Sequence, residues 1–384
     1  MSLIFSIFIL LFIALILGEL LERFNFPAIV GELLTGFILG PAVLGLISAN
    51  PVFTGLSEIS LFFIILLIGI EVTTETLREN YGLGSLFSLT SFIIPVSVMI
   101  LVSRFVLGLN AISAVVISIS VAVPSISIVS VLLKNFKLLR LNAGHVILAS
   151  VIITDIIAFG TVSAMISPDK ATLDIVGIIV FLILLFVVDF EIRKHSEFVV
   201  RMFESLHARE RGEKVIFGTI IVAGLVISSI LELIGVTFVL GAFFAGIIIS
   251  EVVVGEELHN MLTSTLTRLN DSFFIPIFFS IAGLEIIIPQ GNVFLQLLVL
   301  VALSAGIGAP LNYLLSRKYI KGIQGRTAAG ILGSRGSVGI IIASIAFTGG
   351  FISNSLYSIA IFATLILSLG FTPLVQRKDI DLPS

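Results

Sequence analysis

Cysteine is absent from the 384-residue chain, which excludes disulfides, thiolate metal sites and thiol catalysis. Charge is scarce. Asp, Glu, Lys and Arg together make up 12% of the residues against 58% hydrophobic ones, and the mean hydropathy is +1.22. A water-soluble fold needs a polar surface that this composition cannot supply, so its solvent is a lipid bilayer. The four histidines are scattered and form no ligand pair. The net charge of −3 matters less than where the charges sit. No basic segment precedes the first apolar run, so a cleaved signal peptide is not expected. No stretch is left over for a soluble domain, and neither a cofactor nor a nucleic acid is expected as a partner.

What is present is a series of apolar runs of roughly 20 residues, the length that crosses a ~30 Å hydrocarbon core as helix. With Gly, Pro and charge as punctuation, the sequence predicts an all-α integral membrane protein of about thirteen transmembrane helices. They fall near 3–24, 28–48, 56–76, 83–107, 110–134, 142–166, 172–190, 214–234, 237–255, 271–289, 293–316, 325–349 and 354–376. Of the 21 Lys and Arg residues, 18 follow odd-numbered spans, Arg104 and Lys170 follow even-numbered ones, and Arg335 lies within a span. The positive-inside rule therefore places the N-terminus outside and the C-terminus in the cytoplasm. Spans 1–6 and 8–13 form two halves of six helices entering from opposite faces, as in many secondary transporters. No sequence repeat is evident between them, so this inference rests on topology.

Ionisable groups at the bilayer centre cost at least ~2.5–3.5 kcal/mol each and call for an explanation. Asp155 stands at the middle of 142–166, roughly 18 Å along the helix from either end. Arg335 stands near the middle of 325–349. The simplest explanation is a structural pair. An aspartate, however, can exchange a proton with water and an arginine cannot, which makes Asp155 the candidate carrier and Arg335 a structural charge.

Pro124 lies at the centre of the fifth span and removes a helical hydrogen bond there. Gly333 and Gly336 flank Ser334 and Arg335 in the twelfth. Two spans broken at mid-membrane predict an ion site, because unwound carbonyls and half-helix ends can face an ion there. Hydroxyls at Ser125, Ser127 and Thr154 are hard oxygen ligands suited to a small, non-transition cation bound at Asp155. The other acidic residues fall near span ends, and of these Glu32 and Glu71 are candidate structural partners for Arg335.

PAIVGELLTGFILGPAVLGLI (27–47), LSEISLFFIILLIGIEV (56–72), LGAFFAGIIIS (240–250) and FFIPIFFSIAGLE (273–285) resemble the shared blocks of the monovalent cation/proton antiporters, in the Kef-like and sodium/proton antiporter branch. The resemblance implies a homodimer in which residues 1–82 and 214–292 form the dimerisation domain and 83–171 and 293–376 the core ion-binding domain. Residues 172–213 are then a linker helix and cytoplasmic linker, and two crossed, broken helices lie beside an aspartate matched by Asp155. Thr154 takes the place of a second Asp, Asn or Gln. Ala309 stands where electrogenic members carry a lysine, so a second proton carrier is missing. The chain also lacks the nucleotide-binding domain that Kef-type members carry after their last helix, so ligand gating of that kind is not expected.

These features together predict a multi-pass transporter of the cell membrane that exchanges Na+, or K+ or Li+, for H+ by alternating access, one for one and so electroneutral. A gated cation channel is the alternative, but it would present rings of carbonyls or charges from several subunits. A sodium-coupled symporter of an organic anion would need a second polar cluster that the sequence does not contain. An enzyme is not expected, since His145, His195, His207 and His259 have no glycine-framed serine beside them.

Overall fold

The computed structural model describes residues 2–24, 26–71, 74–138, 141–166, 212–233, 238–248 and 256–375. The expected seventh span and the linker after it lie outside these residues. Each of the other twelve expected spans falls on a described helix. Among the described residues, seven helices are long and apolar enough to cross a membrane, and shorter apolar helices accompany them.

The N-terminal helix α1 (Leu3–Arg23) is capped by Ser2, whose Oγ accepts from Phe5 N. It shows lipid a ladder of stacked rings, Phe5, Phe8 and Phe12, with centroids 6.3 and 5.6 Å apart. The second helix, α2 (Ala28–Leu39), is shorter than the expected 28–48. Gly40 is extended with ψ 179° ahead of Pro41, which disfavours a helical predecessor, and 40–50 run as turns and loop. Asn50 then opens α3 (Pro51–Glu71) by accepting from Val52 N and Phe53 N at 3.0 and 3.1 Å.

Next, α4 (Thr74–Ser88) runs through a π turn, Leu89–Ile93, into α5 (Ile94–Phe105). Pro95 has no N–H to offer Ser91, and inserting one residue moves the ladder to an Ile94 N to Leu89 O bond. The same solution recurs ahead of Pro276, in the π turn Asn270–Phe274.

The expected fifth span is α6 (Ala111–Ala122) and α7 (Ile126–Asn135), separated at residues 123–125. The sixth, α8 (Asn142–Ile166), has the expected bounds. Further on come α9 (Gly212–Leu233), α10 (Phe238–Ile248) and α11 (Glu256–Leu269). This last helix is amphipathic, and the hydropathy reading leaves it unassigned because it is too polar to span. It leads through the second π turn into α12 (Ile275–Leu284). The remainder is α13 (Asn292–Tyr319), α14 (Gly325–Gly333), α15 (Ser337–Thr348) and α16 (Asn354–Phe371), with residues 334–336 interrupting the twelfth expected span.

The chain forms two compact units, Met1–Ser57 with Glu75–Phe159 and Pro276–Ser384, and Glu58–Thr74 with Gly160–Ile275. In the first, Leu10, Leu39, Ile47, Phe53, Ile277, Ile281 and Leu284 pack α1, α2 and the start of α3 onto α12. Glycine sets how closely the backbones approach. A Cβ on Gly31 would meet Leu17 and Gly18 in α1, and one on Gly36 would overlap the Ser280 carbonyl and stand 2.8 Å from Gly283 Cα. The second unit uses the same device: Gly241 in α10 meets Ser228 in α9, and Gly246 meets Gly69 in α3. Gly31 and Gly36 have the spacing of Gly241 and Gly246, a correspondence between the halves that residue identity alone conceals.

The Gly36 crossing yields a stability prediction. Gly36→Ala should cost about 1–3 kcal/mol by overpacking and lower the midpoint of heat-induced aggregation of the detergent-solubilised protein. Gly55→Ala in α3, where nothing stands within 4 Å, should leave the midpoint unchanged or raise it through about 1 kcal/mol of helix propensity. Equal shifts for the two would refute the close-approach argument.

Candidate functional site

Pro124 determines the local structure of the first break. Without its N–H, the Ser120 carbonyl loses its helical donor, and α6 ends at Ala122 with Val123 extended. Gly339 of α15 packs against that carbonyl so closely that a Cβ would overlap it. Ser125 N turns away from the helix and donates to Ser334 O at 3.3 Å. The two broken helices therefore bond to each other at their interruptions, and Ser125 Oγ and Ser337 Oγ, 3.2 Å apart, add a second link. A Cβ on Gly336 would stand 2.8 Å from Ser125 Oγ and 2.6 Å from Ile128 Cδ1, so glycine is what lets the breaks meet.

Several of the groups at the second break find partners, as a buried backbone favours. Ser334 N donates to Ile331 O at 3.2 Å and Ser334 Oγ to Gly330 O at 2.8 Å. Ser368 of α16 donates to the Arg335 carbonyl. The Arg335 guanidinium, 1% exposed, donates from Nη1 to Leu332 O at 3.0 Å and from Nη2 to Ser304 Oγ at 3.4 Å. Its position at the carbonyl ends of half-helices suits a cation.

Of the two carboxylates expected beside Arg335, Glu32 does not hold its guanidinium. Glu32 is buried in α2, where its backbone carbonyl accepts from Ser280 Oγ at 3.2 Å, and the guanidinium takes Leu332 and Ser304 in place of it. Glu71 ends α3, and its side chain lies outside the described set, as does that of Ser127 in α7.

Asp155 is fully buried at the middle of α8, and both carboxylate oxygens lack a hydrogen-bond partner among the described residues. Its neighbour Thr154 is bound on two sides. The hydroxyl donates to Ser150 O at 2.9 Å and so receives its bond from Ser88 Oγ, also at 2.9 Å. Ser88 is the last residue of α4, at the edge of the π turn that Pro95 imposes. Beyond that turn Thr90 Oγ1 donates to Asn312 Oδ1 of α13 at 2.9 Å. Ser88, Ser304, Ser337, Gly339 and Asn312 are site residues that the sequence reading leaves out. Pro95 is a visible signal near Ser88, and the Gly336 break lies beside Ser337 and Gly339.

Chemically, the arrangement supplies one ionisable carboxylate without a fixed partner, one fixed cation and no cluster of three His, Asp or Glu able to cage a metal among the described residues. An isolated buried carboxylate has to be neutralised by a proton or a cation.

Comparison with known proteins agrees along nearly the whole chain. Residues 7–377 match the family described as sodium/hydrogen exchanger, transmembrane. The chain is 30% identical to the probable Na+/H+ antiporter 3 of Methanocaldococcus jannaschii over 96% of its own length and 95% of the relative's. It is 28% identical to the Na+/H+ antiporter of Enterococcus hirae over 97% of each. Its fold matches the solved structure of the sodium proton antiporter MjNhaP1 from Methanocaldococcus jannaschii with a TM-score of 0.66 at 16% identity, covering 98% of this chain and 95% of that one. With two discontinuous helices bonded at their breaks, a midplane carboxylate and a family match over almost its full length, the chain belongs to the transmembrane sodium/hydrogen exchanger family.

Proposed function

We propose that this protein is a secondary transporter that exchanges Na+ for H+ across the cell membrane, with Asp155 as the shared binding site. The observation that carries this reading is the buried Asp155 carboxylate, whose two oxygens lack a protein partner among the described residues. A structural aspartate would be bonded or paired; a carrier has to be free to take either ion in turn. The names of the two relatives above support the choice of sodium and protons. Potassium is the second candidate, and lithium fits where sodium does.

The transporter works by alternating access. Residues 83–171 and 293–376 form a core that moves against a dimerisation domain, 1–82 and 214–292, in a homodimer, with the N-terminus outside and the C-terminus in the cytoplasm. Thr154 and Ser125 shape the site through their bonds to Ser88 and Ser337, while Ser127 is a further oxygen ligand. Pro124, Gly333, Ser334 and Gly336 keep the helices open at the level of the ion, and Arg335 is the structural charge. With Ala309 in place of a lysine, Asp155 is the single proton carrier. One cation then crosses for one proton.

Three measurements on proteoliposomes test this. Sodium added to vesicles holding a pH dye should produce cation-dependent recovery, which Asp155→Asn should abolish; recovery that survives the substitution would make Asp155 structural. Since proton and cation compete for one carboxylate, the apparent KM for sodium should rise about tenfold per pH unit once the pH lies below that group's pKa, with the maximal rate kept at saturating sodium. A falling maximal rate at constant KM would exclude competition at a single site. Finally, an imposed potassium–valinomycin potential should leave the exchange rate unchanged, and a rate that follows the potential would rule out one-for-one stoichiometry.

A further inference from the structure

A guanidinium carries five N–H groups. That of Arg335 is sealed in the interior, where Nη1 and Nη2 are held as described and Nε has no partner among the described residues. The Leu332 carbonyl belongs to the end of Arg335's own half-helix and travels with it. Ser304, on α13, is the tether that reaches another element, and its hydroxyl has a second attachment. It donates to the Val121 carbonyl of α6 at 3.4 Å. Helical geometry would give that carbonyl the N–H of Ser125, which is instead bonded to Ser334. One hydroxyl thus accepts from the cation and serves the open end of α6.

Asp155 lies in the same compact unit, buried, with neither oxygen partnered among the described residues. Opposite charges out of water attract strongly, and a guanidinium that met this carboxylate could bond it through two parallel N–H groups. Such a pair would occupy the position of the transported ion. Among the described residues, the helices that meet at the two breaks offer Arg335 no anion of their own. No carboxylate occurs on α6, α7, α13, α14, α15 or α16, and Lys134, Arg317, Lys318 and Arg326 sit in terminal turns.

We propose that Ser304 is a positioning residue for the exchange: by holding the Arg335 guanidinium at the open end of α6, it keeps that charge off Asp155 and leaves the carboxylate to the cation. The proposal rests on the reading of Asp155 as the transport site. Freed of Ser304, the guanidinium competes with sodium, which weakens apparent binding without slowing the loaded carrier.

The test is sodium-dependent exchange in proteoliposomes of Ser304→Ala, Ser304→Thr and Ser304→Cys beside wild type and Asp155→Asn. Losing a bond to a charged group should raise the apparent KM for sodium about tenfold in Ser304→Ala with the maximal rate within about twofold of wild type. Ser304→Thr keeps the hydroxyl and should restore the wild-type KM. Should the alanine variant fail to reconstitute, Ser304→Cys, which keeps the volume with a weak hydrogen-bonding group, should raise KM in the same direction. A wild-type KM in the alanine or cysteine variant, a threonine variant as impaired as alanine, or a lowered maximal rate at unchanged KM would each overturn the positioning role. Exchange that persists in Asp155→Asn would instead overturn the underlying reading of the site, which separates the two failures.

Discussion

Everything at the centre of this molecule follows from a constraint on the backbone: in a membrane interior, a helix can be opened only if each freed carbonyl and N–H finds another partner. Pro124 opens α6 from α7, and other segments of the core close on the freed groups. Ser334 accepts from Ser125 N, Ser304 donates to Val121 O, and Gly339 gives up a side chain so that α15 can lie against Ser120 O. The second break is answered in turn by Arg335 and Ser368. Neither interruption could exist alone, because part of what satisfies each is the other. This mutual dependence is a physical reason for two broken spans in one core.

The same constraint decides which polar groups remain to do chemistry. Hydroxyls are common in the core, but Thr154, Ser125, Ser304 and Ser334 have hydrogen bonds that hold helices or close breaks. Arg335 is held as well. Ser91, Ser120 and Ser150 are buried hydroxyls that also lack a partner among the described residues, but Asp155 is ionisable and neither of its oxygens is bonded, and a buried carboxylate left so is left at a cost in stability. Function at the expense of stability is the expected signature of an ion site.

Much of this could be read from the chain, and what could not has physical reasons. Asp155, Pro124 and the Gly333–Gly336 break were legible because each violates the rule for a membrane helix within its own segment. Span positions followed from hydropathy, and α8 matches to the residue. The early end of α2 was also local, since Gly40-Pro41 is a stop signal, but it lay inside an apolar run long enough to mask it. By contrast, the groups that hold Arg335 were not legible. A charge near a carboxylate is the pairing that chemistry suggests, and the carbonyl and hydroxyl that actually hold it are Leu332 and Ser304. Ser88 and Ser304 touch residues 66 and 183 positions away, and serine in a membrane helix has too many ordinary uses to mark itself. The amphipathic α11 escaped because its polarity hides it from a search for spans.

Proline and glycine divide the work of the two breaks in a way that bears on motion. Pro124 interrupts its helix by removing a donor, a change that no rearrangement of neighbours can reverse. Gly333 and Gly336 interrupt theirs by removing Cβ atoms where Phe371 and Ser125 come close, so that break depends on what is packed against it. The first break is permanent and the second conditional. If the ion site changes its exposure, the conditional side is the one able to change its contacts, and Arg335 rides on it. A charge carried by the adaptable half of the crossing needs an anchor on another element, and α13, 28 residues long and continuous through Ser304, provides one.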